Sequence, residues 1–293
     1  MTQQGEIRIG ISGWRYAPWR GVFFPPGLPQ HDELAFAAQK FRTIEINGTF
    51  YGTQRPESFE TWRETVPEDF MFAVKAPRFI THIKRLRDVE APLANFLASG
   101  VLRLGPKLGP ILWQFPPTLK FDAGLFQAFL QMLPHDTMAA ATLAKHHDSR
   151  LRHPDLSEMT QRRALRHALE IRHESFRTAA FIELLQQARV ALVCADTMKW
   201  PRLMNATGDF IYCRLHGPKE LYASGYDDKA LATWARRVRA WTKGDEPPDA
   251  EFVADAPRGK KMARDVFLYF DNDMKVHAPV DAAKLAAQLG AQP

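Results

Sequence analysis

The chain has 293 residues, of which 45% are hydrophobic and 25% charged, an ordinary globular balance with length for one large barrel or two small domains. A formal charge of +6 permits contact with nucleic acid or an anionic substrate without requiring it. No run approaches the roughly 20 apolar residues of a membrane span, the MTQQGEIRIG opening has no signal-like apolar stretch, and Cys194 and Cys213 lack zinc-site spacing, so a cytoplasmic protein with buried free thiols is expected.

Short apolar, β-branched runs alternate with helical patterns, and each run ends on a polar group. The first, 7–11, ends at Ser12-Gly13-Trp14, followed by a Trp-, Pro- and Gly-rich loop to Pro29 and a helix at about 31–41. The second, 43–46, contains Glu45 and ends at Asn47. Proline suits an early helical position, so the next helix starts near Pro56 and runs to about Val66. Strand 70–74 ends at Lys75, and a helix is predicted over 92–102. Strand 108–115 carries Gln114 and is closed by Pro116-Pro117, after which Asp122 is placed to cap a helix through Met132. Residues 134–166, rich in His and Arg, break the rhythm and read as an elaborated, partly helical connection. The pattern then resumes. Strand 167–171 carries Glu170 and ends at Arg172-His173, helix 178–188 follows, and strand 190–195 ends at Asp196. A single weak helical turn is expected before Asp209. Strand 210–215 ends at His216-Gly217, and helix 228–242 and a surface loop over 243–257 lead to strand 266–270, which ends at Asp271-Asn272. The last helix, 280–289, lies between Pro279 and Gly290.

Repeated strand–helix units imply a parallel sheet, and about eight of them fit a closed barrel. No GxGxxG or P-loop follows the first strand, which weighs against an open nucleotide-binding sheet. The expected architecture is α/β, a (β/α)8 TIM-barrel-like single domain over 1–293. Such barrels gather all strand C-termini on one rim, where their chemistry sits.

Several motifs carry a family likeness. Gly10-Ile11-Ser12-Gly13-Trp14-Arg15-Tyr16 with Pro18-Trp19 resembles the opening of the YecE-like family, the domain of unknown function 72. Glu45-Ile46-Asn47-Gly48-Thr49-Phe50-Tyr51 is similar to its second motif, and Phe72-Ala73-Val74-Lys75-Ala76-Pro77-Arg78 with Ile80-Thr81-His82 to its third. Gln114-Phe115-Pro116-Pro117, Glu170-Ile171-Arg172-His173-Glu174-Ser175, Tyr212-Cys213-Arg214-Leu215-His216-Gly217 and Phe270-Asp271-Asn272-Asp273 follow in the family's order. The resemblance implies a TIM-barrel-like fold and no established reaction. Phe176 stands where the family usually has Trp, and Asp271 where many members have Asn, which adds a carboxylate to the rim.

The rim residues suggest acid–base chemistry. Glu45, Glu170 and Asp196 are the candidate catalytic carboxylates, with His216 as a proton carrier near neutral pH; carboxylates brought close together push one another's pKa apart or bind a cation. The competing reading is that Lys75, Arg172 and Arg214 hold them in salt bridges. The order Glu170, Asp196, His216, Asp271 on the last four strands is similar to the metal-binding order of sugar isomerases and epimerases with this barrel, so a divalent metal is the one cofactor in view. Lys75, Arg78, His82, Arg172 and Arg214 are suited to clamp an anion, and Trp14, Tyr16, Trp19, Phe50 and Tyr51 supply aromatic faces. Candidate substrate contacts are Trp14, Asn47, Tyr51, Lys75, His82, Gln114, Arg172, His173, Arg214, Asp271 and Asn272. A hydrolase or isomerase/lyase acting on a small polar, anionic or sugar-like substrate is preferred over a redox enzyme, because no dinucleotide signature is present, and over a serine hydrolase, because no GxSxG is present. The alternative class is a nucleic-acid-binding module using a basic, aromatic rim.

Overall fold

In the computed structural model, which describes residues 4–291, eight parallel strands close into a barrel in chain order. They are β1 (Ile7–Ser12), β2 (Thr43–Ile46), β3 (Met71–Lys75), β4 (Leu108–Gln114), β5 (His167–Glu170), β6 (Ala191–Asp196), β7 (Phe210–Leu215) and β8 (Asp265–Phe270). The ring shuts where Ile7 pairs with Val266 and Ile11 with Phe270. The fold is the (β/α)8 TIM-barrel-like one expected, and every strand lies within a residue of its predicted bounds.

Helices α1 (Glu33–Ala38), α2 (Gly48–Tyr51), α3 (Pro56–Thr65), α4 (Glu90–Ala98), α5 (Ala123–Met132), α6 (Thr137–Ala144), α7 (Ala179–Ala188), α8 (Asp228–Lys243) and α9 (His277–Leu289) connect the strands. Their starts follow local chemistry. Pro56 opens α3, and Asp122 caps α5 by accepting from the Leu125 N–H at 3.0 Å, as Asp227 does for α8 from Ala230 at 2.8 Å.

Some boundaries differ from the prediction for identifiable reasons. The helix predicted at 92–102 ends at Ala98, because Gly100 takes φ +101° and lies so close to Pro56 that a Cβ would sit 2.5 Å from the Pro56 Cα. In the connection 134–166, only α6 is helical. No helical turn forms between β6 and Asp209; Met204 donates instead to the Glu251 carbonyl, and the Asn205 side chain accepts from Val253 N–H. Helix α2 is four residues long, too short for a periodic signal, and was not predicted.

Alternation along the strands decides what meets inside the barrel. Ala73, Leu112, Ala168, Val193, Tyr212 and Tyr269 pack in its interior. Two residues on from each, at the C-terminal end, come Lys75, Gln114, Glu170, Ala195, Arg214 and Asp271, joined by Ser12 and Glu45, which are opposite one another in register. Tyr269 hydrogen-bonds Thr43 across the barrel (2.7 Å) and packs on Tyr212 with ring centroids 5.1 Å apart, a plug below the polar layer. Cys194 and Cys213 face each other on β6 and β7 as buried free thiols. Among the described residues no helix is long and apolar enough to cross a membrane.

Candidate functional site

Arg214, fully buried at the end of β7, organises the rim. Its Nη1 donates to Glu170 Oε2 (2.7 Å), its Nε and Nη2 to the two oxygens of Glu45 (3.1 and 2.8 Å), and its Nη2 also to Ser12 Oγ (3.0 Å). Asp271 Oδ2 lies 3.0 Å from the same Nη2. Ser12 Oγ donates to Glu45 at 2.5 Å and accepts from Asn47 at 2.9 Å, and Tyr212 donates to the second Glu45 oxygen at 2.6 Å. Arg172 holds the other Glu170 oxygen at 2.7 Å and stacks on Trp200, 4.1 Å from its centroid. Only guanidinium geometry can serve three carboxylates from one side chain.

His216 is buried beside this cluster. Its Nδ1 comes within 2.9 Å of Asp271 and its Nε2 within 3.7 Å of Glu170, but neither approach has the alignment of a hydrogen bond. The ring is held edge-on between Trp200 and Tyr222, 5.3 and 5.5 Å away.

Above the cluster, where the strands end, a cavity of about 570 Å³ opens. Trp14, Arg15, Tyr16, Asn47, Tyr51, Gln54, Trp62, Lys75, Tyr222, Asp271 and Asp273 line it. Its volume is that of a small-ligand pocket. Trp14 is fixed edge-on against Trp62, with centroids 5.5 Å apart. Gly13, at φ +84°, turns the chain out of β1 so that its N–H donates to the Glu45 carbonyl (2.8 Å) and the Tyr16 hydroxyl reaches back to the Ser12 carbonyl (2.5 Å).

The titratable groups of the cavity are pushed apart. Burial lowers Lys75 to about 8, helped by the Arg214 charge and only partly offset by the acids. Burial alone would raise Asp271, yet Arg214 and His216 hold it well below the usual carboxylate range. Asp273 is raised to about 6 by burial and by the neighbouring Asp271 charge. Burial would also raise Glu170, and Arg172 and Arg214 hold it far down. His82, edge-on to Phe50 at 5.1 Å, is lowered to about 4 by burial and by Arg172 and Lys75.

Of the predicted site residues, the structure brings Trp14, Asn47, Tyr51, Lys75 and Asp271 to the cavity wall. Glu45, Glu170, Arg214 and His216 lie beneath it with no exposed surface, and Gln114, opposite Glu170 in register, lies at the same level. Arg172 and His82 are not in its wall; Arg172 bonds Glu170 and His82 packs on Phe50. Three residues lie elsewhere. Asp196 follows the inward Ala195 and so points out of the barrel, where it accepts from Arg202 (2.8 Å) and Trp234 (3.2 Å). His173 caps a short turn by accepting from Ser175 N–H, and Asn272 donates to Asp281 (2.9 Å) and to the Ser224 carbonyl (3.0 Å). With Asp196 outside, Glu170, Asp196, His216 and Asp271 do not converge, and Glu170 and Asp271 already face guanidinium. This donor set does not fit a divalent ion, and among the described residues no group of three His, Cys, Asp or Glu side chains has metal-site geometry.

Tyr222, Asp273, Gln54 and Trp62 line the cavity without having been predicted to. Asp273 was in plain view in the Asp271-Asn272-Asp273 run. Tyr222 belongs to the loop after Gly217 and takes φ +63°, an unfavourable value for a tyrosine, with its N–H bonded to the His216 carbonyl (2.6 Å).

Fold and rim together define a (β/α)8-barrel protein with a polar cavity at the C-terminal ends of its strands. Over residues 8–293 the chain matches the family described as "Protein of unknown function DUF72", and it belongs to that family. It is 31% identical over 112 residues to the UPF0759 protein YecE of Escherichia coli (strain K12), a match covering 38% of each chain. It is 28% identical over 116 residues to the UPF0759 protein YunF of Bacillus subtilis (strain 168), covering 38% of this chain and 40% of that one. These matches thus span about two fifths of the relatives' length. A crystal structure of a DUF72 family protein from Thermotoga maritima superposes with a TM-score of 0.70 at 21% identity, covering 97% of this chain and 99% of that one. One from Enterococcus faecalis gives 0.68 at 17%, covering 97% and 95%. At these identities the two structures corroborate the fold.

Proposed function

We propose that this protein is an enzyme that acts on a small polar substrate, anionic or sugar-like, by proton transfer in the rim cavity. The observation that carries the reading is that Asp271 and Asp273, two residues apart and on one cavity, have their acidities driven in opposite directions. A pair of carboxyls split in this way supplies an ionised base and a protonatable acid from one loop. Asp271 acts as the base and Asp273 as the acid, while Arg15 attracts the anionic part of the substrate, Lys75 faces it from the end of β3, and Trp14 and Trp62 form an apolar wall. Glu45 and Glu170 position these groups from below through Arg214, and His216 lies directly against Asp271. Hydrolysis and isomerisation or lyase chemistry both need no more than this.

The test is a thermal-shift screen against phosphorylated sugars, sugar acids and keto acids, with turnover of each hit followed by NMR. Asp271→Asn is expected to lower turnover at least about 100-fold, the usual scale for losing a general base. Full turnover in that variant would reject the assignment.

A second reading, a nucleic-acid-binding rim, draws on Arg15 and Tyr51, both exposed at the cavity mouth. It requires oligonucleotide binding that weakens steeply as salt rises, measurable by fluorescence anisotropy.

A further inference from the structure

Lys75 stands apart from the other cations of the rim. The acids around it are already engaged: Glu45 and Asp271 by Arg214, and Glu170 by Arg214 and Arg172. Among the described residues no carboxylate oxygen lies within 4.0 Å of its Nζ, although the residue is 7% exposed and lines the cavity. The ammonium rests instead over the Phe50 ring, 4.2 Å from the centroid. The strand that carries it is fixed behind it, since Thr49 Oγ1 donates to the Lys75 carbonyl at 2.7 Å. A lysine serving only to neutralise the cluster would be expected to touch one of its acids. This one is held on a rigid strand end with its nitrogen free toward a ligand-sized space.

We propose that Lys75 is an amine nucleophile that forms an imine with a small hydroxylated aldehyde or ketone bound in the rim cavity. The proposal rests on the reading of this cavity as the substrate site and names the substrate class. The unprotonated Nζ gives its lone pair to the carbonyl carbon, the C–N bond forms, and the C=O π pair moves to oxygen. Both amine hydrogens end on that oxygen, relayed one at a time by Asp273, whose carboxyl takes a proton from nitrogen and gives one to oxygen as the carbinolamine forms and again as water leaves. The C–O bond breaks with its electron pair on oxygen, so amine plus carbonyl gives imine plus water and no oxidant or reductant enters. Protonated, the imine withdraws electrons from the adjacent carbon, which is the use lyases and isomerases make of such a lysine. Burial that lowers Lys75 to about 8 leaves about a tenth of the amine unprotonated at pH 7, far more than an ordinary lysine has.

The unmodified protein tests this directly. Glycolaldehyde, glyceraldehyde, hydroxyacetone and dihydroxyacetone are each added with cyanoborohydride, and the reduced adducts are mapped by peptide mass spectrometry. Lys75 is expected to be alkylated at pH 7.5 at least about tenfold faster than an exposed lysine such as Lys261 by one or more of these probes, because a desolvated amine is the more available nucleophile. Its rate should rise with a midpoint near pH 8. If Lys75 is alkylated no faster than Lys261 with all four probes, the imine is wrong. Turnover that depends on Asp271 would then leave the acid–base reading standing, whereas no turnover and no adduct would end both.

Discussion

Arg214 and Glu45 form a two-point ion pair inside the barrel, Nε to Oε2 at 3.1 Å and Nη2 to Oε1 at 2.8 Å, with neither side chain exposed. The same guanidinium also meets Glu170 and Asp271. Removing one partner of a buried pair leaves a bare charge in a low dielectric, which costs about 3–5 kcal/mol. Arg214→Met strands three carboxylates at once and is expected to lower stability by at least that amount. Arg214→Lys should recover little of it, since one ammonium cannot span the fork. Urea unfolding of both variants checks this, and a loss below about 1 kcal/mol would show that water enters the cluster and solvates the acids.

Glu170 is gripped from both sides, by Arg214 at 2.7 Å and by Arg172 at 2.7 Å. Glu170→Gln would leave two guanidinium groups sharing a neutral amide, so its main effect is expected on stability, with activity lost through disordered geometry. A Glu170→Gln protein that melts like the parent yet turns over nothing would give Glu170 a direct chemical role instead.

The strands and the rim were legible in the sequence because each apolar run ends abruptly on a polar residue. Which face those residues take was not. Strand β6 is buried on both sides, Ala-Leu-Val-Cys-Ala-Asp, so no alternation marks Ala191, Val193 and Ala195 as inward and Asp196 as outward. His173 and Asn272 lie three and two residues past their strands, in loops where alternation no longer says which side chains turn inward. Trp62, Tyr222 and the arginine-covering Trp200 reach the rim from a helix and from loops, where no period announces them. Part of the charge surplus is paired in the fold, which a sequence does not show. Arg150, Arg162, Arg166 and Arg237 each pair with an acid, Asp148, Asp136, Asp265 and Asp249 respectively, rather than forming a free basic stripe.

Two pH windows should be visible in stability. Lys75 titrates at about 8 folded against an ordinary 10.5, so between these values the unfolded chain binds more protons and stability rises with pH. The cost of burying its ammonium is full below the lower value and gone above the upper. Lys75→Met should flatten that rise in chemical denaturation at pH 8–10, and an unchanged slope would mean that Lys75 titrates normally.

At acid pH two groups oppose each other. Asp273 is raised from 3.8 to about 6, so its contribution is present below 3.8 and lost as pH rises through 6. His82 is lowered from 6.5 to about 4, so its contribution is lost as pH falls through that range. Their slopes partly cancel in the parent protein. Asp273→Asn should therefore unmask stability that rises between pH 4 and 6, and His82→Gln the reverse. Equal slopes in the two variants would contradict both assignments.

The facing thiols of Cys194 and Cys213 give a probe of the barrel wall. Both lie between strands and helices with almost no exposure, and burial beside Cys194 pushes the Cys213 thiol well above its usual range. A thiol reagent needs the thiolate and access to it. Labelling of the native protein with an aromatic disulfide at pH 8 should then proceed only through opening of the barrel, at least about 100-fold slower than in denaturant. Because β6 and β7 also carry Asp196 and Arg214, Arg214→Met should speed labelling of both cysteines together, as it loosens the strand pair that holds them. Fast labelling of the parent protein, or acceleration of one cysteine alone, would mean that this wall opens locally and independently of the ionic cluster.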